Sequence, residues 1–124
     1  MIGYVTIGTN DLDKAAPFFD TLLGLMGGTR MMEGDGFIAW SKGQDGAGLG
    51  VTKPFDGKPA TVGNGVMVAL EAKSRDEVDA LYKKALELGA RDEGAPGERM
   101  EGFYAGYFRD LDGNKFNVFH MKID

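Results

Sequence analysis

The sequence predicts an α+β fold made of two tandem βαβββ modules, and three observations lead to it. The order strand, helix, three strands can be read twice along the 124 residues. The helices occupy equivalent places in the two readings, 63 positions apart, with Asp13 on Asp76 and Leu25 on Leu88. A local echo joins GFIAWSKGQDG (36–46) to GFYAGYFRDLDG (102–113): in each, Gly-Phe-x-Ala opens a strand and Asp-Gly closes it in a turn, with one residue inserted in the second copy. Final strands align 67 apart, Val51 on Val118, and duplication explains this spacing better than a chance echo.

The elements follow in order. Residues 3–8 (GYVTIG) alternate as a short strand. Asn10 or Asp11 then caps a helix whose apolar face is Leu12, Ala15, Ala16, Phe19, Leu22, Leu23 and Met26, with Pro17 expected to weaken or kink its first turns. Strand-like runs come next at about 29–33, 36–42 and 47–53, completing a first module of about 1–53. PFDGKPATVGNG (54–65) is a glycine- and proline-rich connection. The second module, about 65–124, opens with the strand GVMVALEA (65–72). Ser74 and Glu77 form an S-x-x-E capping box, the helix face is Val78, Leu81, Tyr82, Ala85 and Leu88, and Gly89 ends it. Strands are expected near 98–101, 102–109 and 115–121, and GAPG (94–97) is expected to be a loop suited to a lid, flanked by Glu98, Arg99 and Glu101.

Composition narrows the function classes. The length suits one domain, and 43% apolar residues suffice for an ordinary core. With no cysteine, disulfides, thiolate metal sites and thiol nucleophiles are excluded, and a reducing compartment is the natural reading. No run approaches the roughly 18–20 apolar residues of a membrane span, and Met1 leads into a strand rather than a signal segment, so the expected location is cytoplasmic with no membrane partner. Fourteen basic and nineteen acidic residues give a net charge of -5 with no basic cluster, which argues against a nucleic acid partner. The twenty glycines lie between periodic segments and read as turns.

The opening MIGYVTIGTNDLDKAAPFFDTLLGLMG and the ending FYAGYFRDLDGNKFNVFHM, with its F-R-D-x-D-G-N-K turn, resemble the two ends of a vicinal oxygen chelate protein, the superfamily of glyoxalases, bleomycin-resistance proteins and dioxygenases. The likeness covers nearly the whole chain as a single domain. It implies two modules whose sheets curl into an open cup with helices packed outside, often completed by a homodimer, with a ligand or metal inside. Metal-dependent relatives place one histidine or carboxylate on the first and last strand of each module. By resemblance, the corresponding positions are Tyr4, Gly50, Met67 and Asn117. A phenol, no side chain, a thioether and an amide do not make a ligand set for a hard or borderline divalent ion, so no metal and no other cofactor is expected.

Strand alternation adds an inward face to this cup. Val5 and Ile7 suit the helix side of the first strand and leave Tyr4, Thr6 and Gly8 inward; Phe116 and Val118 suit the helix side of the last and leave Lys115, Asn117, Phe119 and Met121 inward. Ligand contacts are accordingly expected from Tyr4, Thr6, Met67, Asn117, Phe119 and Met121, with Tyr4 and Asn117 as the polar ones. His120, the lone histidine, falls on the helix side, while periodicity leaves the facing of Trp40, Tyr104 and Tyr107 open. DLDGN (110–114) lacks the later ligands of a calcium loop, and GAGLG (46–50) does not join a strand to a helix as a dinucleotide loop must. The leading expectation is a homodimeric, metal-independent binding protein for a small, largely apolar molecule, in the manner of bleomycin-resistance-type relatives. A glyoxalase-like lyase, isomerase or dioxygenase with a displaced metal site drawn from Glu33, Glu71, Glu101 or His120 is the enzyme alternative, and a non-catalytic dimeric interaction module the structural one.

Overall fold

The computed structural model describes residues 1–43 and 46–122. Two compact units divide the chain, Met1–Val62 and Gly63–Asp124. The first contains β1 (Tyr4–Gly8), α1 (Leu12–Gly24), β2 (Thr29–Gly34), β3 (Phe37–Ser41) and β4 (Gly48–Thr52). Its strands form one sheet in the order β1-β4-β3-β2, with β1 and β4 parallel and the other pairs antiparallel. The second contains β5 (Val68–Glu71), α2 (Arg75–Glu87), β6 (Arg91–Met100), β7 (Phe103–Arg109) and β8 (Lys115–Met121). Its order β5-β8-β7-β6 repeats the scheme, with β5 and β8 parallel. Two tandem βαβββ modules in an α+β arrangement are thus present, as the duplicated pattern predicts.

Short-range chemistry starts and stops both helices. Asp11 is the N-cap of α1, its Oδ1 accepting from the Lys14 N–H at 3.2 Å. Ser74 caps α2 by accepting from the Glu77 N–H at 3.1 Å, and the Glu77 carboxylate reaches back to the Lys73 N–H rather than to that of Ser74. Both helices end in the paired hydrogen bonds of a Schellman turn: Gly28 N–H to Leu23 O with Gly27 N–H to Gly24 O, and Ala90 N–H to Ala85 O with Gly89 N–H to Leu86 O. Gly27 and Gly89, at φ +86° and +107°, supply the left-handed step these turns require. The helix α1 runs through Pro17, which lies on its exposed side.

Each helix seals one face of its own sheet. In the first unit, Ala15, Ala16, Phe18, Phe19, Leu22 and Leu23 are buried, as are Ile7, Ile38, Trp40, Leu49 and Val51 of the strands. Phe18, absent from the expected face, widens the apolar stripe. At its edge the Trp40 Nε1–H donates to Asp20 Oδ1 at 2.9 Å, and Arg30 grips the same carboxylate through Nε at 2.9 Å and Nη2 at 2.7 Å. These bonds, that from Arg30 foremost, hold the Asp20 carboxyl below its ordinary value of 3.8, against an opposing push from burial. In the second unit, Val78, Leu81 and Ala85 of α2 are buried together with Phe108, Phe116 and Val118, and the Phe108 and Phe116 rings stack at 5.5 Å.

Two boundaries depart from the sequence reading. GAPG is not a loop: β6 runs continuously from Arg91 to Met100 and takes up Gly94–Gly97 through register shifts against β7. This is possible because β6 is an edge strand, where bulges and a proline without an N–H leave no interior ladder broken. The strand β5 is shorter than expected, beginning at Val68, so Met67 immediately precedes it. The Asp-Gly turn expected to close the first echo rests on Asp45, which lies outside the described residues. Among the described residues, no helix is long and apolar enough to cross a membrane.

Asp20→Ala is expected to cost about 1–3 kcal/mol, because it leaves the buried Trp40 N–H unpaired. Asp20→Asn keeps an acceptor but removes the charge that faces Arg30. A carboxyl lowered by folding adds stability above its unfolded value and loses it as pH falls through its folded one. Chemical denaturation against pH is therefore expected to show a gap between the native protein and Asp20→Asn at neutral pH that closes below about pH 3.8.

Candidate functional site

The candidate site is built on the sheet faces that the helices leave free. In the second unit, Gly106 faces Tyr82 of α2, and Phe108, Phe116 and Val118 fill the helix side, so Ala105, Tyr107, Asn117 and Phe119 project from the opposite face. Asn117 stands in the middle strand between Ala69 of β5 and Tyr107 of β7. It is 2% exposed, and its Oδ1 is buried without a hydrogen-bond partner among the described residues. Buried amide oxygens are normally satisfied, so this acceptor is the most conspicuous polar feature of the face. Phe119, two residues on, stacks against Phe103 at 5.6 Å, while Met121 and Met67 are 45% and 41% exposed.

In the first unit the corresponding face carries Tyr4, Thr6 and Gly50. Tyr4 is 70% exposed and lies opposite Gly48, while Thr6 is exposed and lies opposite Gly50. A Cβ at Gly50 would come within 3.2 Å of the Thr6 Cγ2, so the room for a longer side chain there is already narrowed by threonine. Of the six expected ligand-contact residues, Tyr4 and Thr6 belong to the first unit and Met67, Asn117, Phe119 and Met121 to the second.

The donor chemistry does not fit the divalent ion that metal-dependent relatives hold. Tyr4, Gly50, Met67 and Asn117 offer neither imidazole nor carboxylate, and no group of three or more His, Cys, Asp or Glu among the described residues could hold a metal ion. The alternative ligands are not assembled either. Glu33 pairs with Arg30 at 2.7 Å, Glu101 lies in the β6–β7 turn, and Glu71 and His120 project from opposite faces of the second sheet.

The aromatic residues of open facing sort cleanly. Trp40 is buried against α1 through Phe19 and Asp20. Tyr104 turns toward α2, donating its hydroxyl to Asp79 at 2.6 Å, a bond that raises its pKa. His120 lies beside Tyr104 on this helix side, and its Nδ1 is buried without a partner among the described residues. Tyr107 alone of the three shares the face of Asn117. Arg99 also reaches this face: a Cβ at Gly94 would meet both the Tyr107 ring and Arg99 Nη2, the latter at 3.2 Å. The guanidinium stands 5.4 Å from the Tyr107 ring centre, and the Lys115 ammonium 5.7 Å. Period-two spacing of Tyr107 opposite Asn117 is the available signal, but it needs the β7–β8 register; Arg99, expected on a strand near 98–101 beside a GAPG loop, gives none, because its fold back over Gly94 and Gly97 depends on those residues being strand.

A direct test of Asn117 follows from its orphan acceptor. Replacing the amide with the similarly shaped Asn117→Leu removes an unsatisfied buried oxygen, so thermal unfolding of the ligand-free protein is expected to be unchanged or to move upward. A loss of about 1–3 kcal/mol would instead mark the amide as part of a satisfied structural network.

The family model described as Glyoxalase/Bleomycin resistance protein/Dioxygenase superfamily matches residues 1–118. A glyoxalase/bleomycin resistance protein from Albidiferax ferrireducens T118 is 32% identical, with 98% of this chain and 99% of that chain covered and a TM-score of 0.90. A hypothetical protein from S. aureus is 25% identical, over 97% of this chain and 92% of its own, at a TM-score of 0.75. A glyoxalase/bleomycin resistance protein/dioxygenase family enzyme from Burkholderia phytofirmans PsJN, 19% identical over 97% and 98% of the two chains at a TM-score of 0.79, shares the fold. No curated protein matches the chain. The duplicated βαβββ architecture and the match over residues 1–118 together place this chain in the Glyoxalase/Bleomycin resistance protein/Dioxygenase superfamily, to which it belongs.

Proposed function

We propose that this chain is a small-molecule-binding member of the superfamily that has lost the metal site and acts as a homodimer in the cytoplasm, as the bleomycin-resistance branch would. The observation that carries the reading is the state of Asn117: an amide stands where metal-dependent relatives would carry a ligand, and its oxygen is buried with no hydrogen-bond partner among the described residues. An amide cannot take up a proton at neutral pH, so it cannot be the base of an isomerase, but it orients a bound molecule by accepting a hydrogen bond. Phe119 and Met121 beside it, with Met67 at the entry to β5, add apolar and adaptable contact area.

The resulting chemistry is recognition without turnover. The catalytic metal would polarise a carbonyl or hold an oxygen-derived intermediate, and the residues at these positions are not the ones to retain it. Elemental analysis of protein purified without added metal is expected to find less than one ion per ten chains. Titration with nickel, zinc or manganese is expected to leave the melting temperature within about 1 °C, because only an ion that binds the native state stabilises it. One tightly bound ion per chain would overturn the reading.

A further inference from the structure

The helix-free face of the second unit has a local charge opposite to that of the whole chain. Arg99 and Lys115 flank Tyr107, the direct β7 neighbour of Asn117, with cationic groups 5.4 Å and 5.7 Å from its ring. Neither makes an ion pair with a carboxylate among the described residues, whereas Arg30, Arg75 and Arg109 all do. Glu93, whose carboxyl is held below its ordinary value chiefly by Arg109 at 2.6 Å, also feels the charge of Lys115 without pairing with it.

The arginine is also held in place. Its Nη2 donates to the Ala95 carbonyl at 2.5 Å, and its guanidinium lies against Gly94 and Gly97, where a Cβ would approach Nη2 and Nη1 to 3.2 Å. The GAPG stretch therefore works as a cradle: its two glycines leave the space that lets a long, flexible side chain fold back over the sheet. An exposed guanidinium that makes one hydrogen bond among the described residues presents a fork suited to a planar anion. On the same face, opposite Tyr107, the Asn117 Oδ1 accepts but cannot donate.

We infer that the small molecule bound on this face is an organic anion, its acid group paired with Arg99 and Lys115 and a neighbouring O–H or N–H donated to Asn117 Oδ1. This rests on the small-molecule-binding reading and adds its ligand class. The carbon skeleton lies over Ala105 and the stacked Phe103 and Phe119. Glu71, opposite Phe119 on β5, puts negative charge at the other end of the face, so the acid group is directed to the Tyr107 end. Net charge does not oppose this, since the field that a bound ion meets is set by groups within about a Debye length, roughly 8–10 Å.

The test uses the full chain and a panel of small hydroxy- and amino-carboxylic acids, each matched with its neutral carboxamide. Thermal shift and calorimetric titration are applied to the native protein, Arg99→Gln, Lys115→Gln and the double variant. Acids are expected to stabilise where their amides do not, with affinity weakened roughly tenfold or more by each substitution. Affinity for the native protein is also expected to fall as salt rises, a readout that depends on no variant folding. Amides that bind as well as their acids, or acid binding that survives the double variant, would overturn the inference while leaving a small-molecule site in place. Acid binding that needs Arg99 and Lys115 in a protein found to hold a metal ion would support the inference and overturn only the metal-independent reading. If no member of the panel binds, both fall.

Discussion

In each unit, the parallel pairing of the first strand with the last is the constraint from which the rest of the architecture follows. A parallel pair cannot be closed by a tight turn, so the chain between β1 and β4, or between β5 and β8, must travel through a helix and two further strands before returning. That path places the helix over one face and brings the two ends of the module side by side, Thr6 beside Gly50 and Ala69 beside Asn117. The apolar faces of α1 and α2 then bury one side of each sheet, and strand alternation presents every second residue on the other.

Polarity is answered differently in the two units. On the helix side of the first sheet the Trp40 N–H is matched by Asp20, which in turn holds Arg30, whereas on the helix side of the second His120 Nδ1 is buried without a partner among the described residues. On the free side of the second sheet, Asn117 is as buried as the core yet keeps an unused acceptor, and two cations near Tyr107 lack carboxylate partners among the described residues. A buried acceptor without a partner costs stability, whereas the exposed Arg99 and half-buried Lys115 remain solvated, so the Asn117 oxygen is the feature of this face that folding leaves unanswered.

Much of this was legible locally. Asp11, Ser74 and Gly89 mark helix ends through hydrogen bonds that span no more than a few residues, and β8 was placed at 115–121 by period two alone. The site was legible in part. Asn117 stood out as a polar residue on a strand of Phe and Val, but its missing partner depends on what surrounds it in space. The lid expected at GAPG failed for a similar reason: Gly and Pro signal a loop, yet an edge strand absorbs them as bulges when its neighbour offers a ladder.

What the sequence by itself determined, then, is the duplicated βαβββ frame and the helix caps, together with the expectation that Tyr4, Gly50, Met67 and Asn117 stand at the ligand positions of metal-dependent relatives. These follow from residue type, spacing and resemblance, which are properties of the chain. Only the tertiary structure decided that Trp40 and Tyr104 turn toward the helices while Tyr107 does not, and that Arg99 folds over Gly94 and Gly97 onto the face of Asn117. Facing and charge at a point depend on strand register and on side chains remote in sequence, and period two cannot give register across a bulged edge.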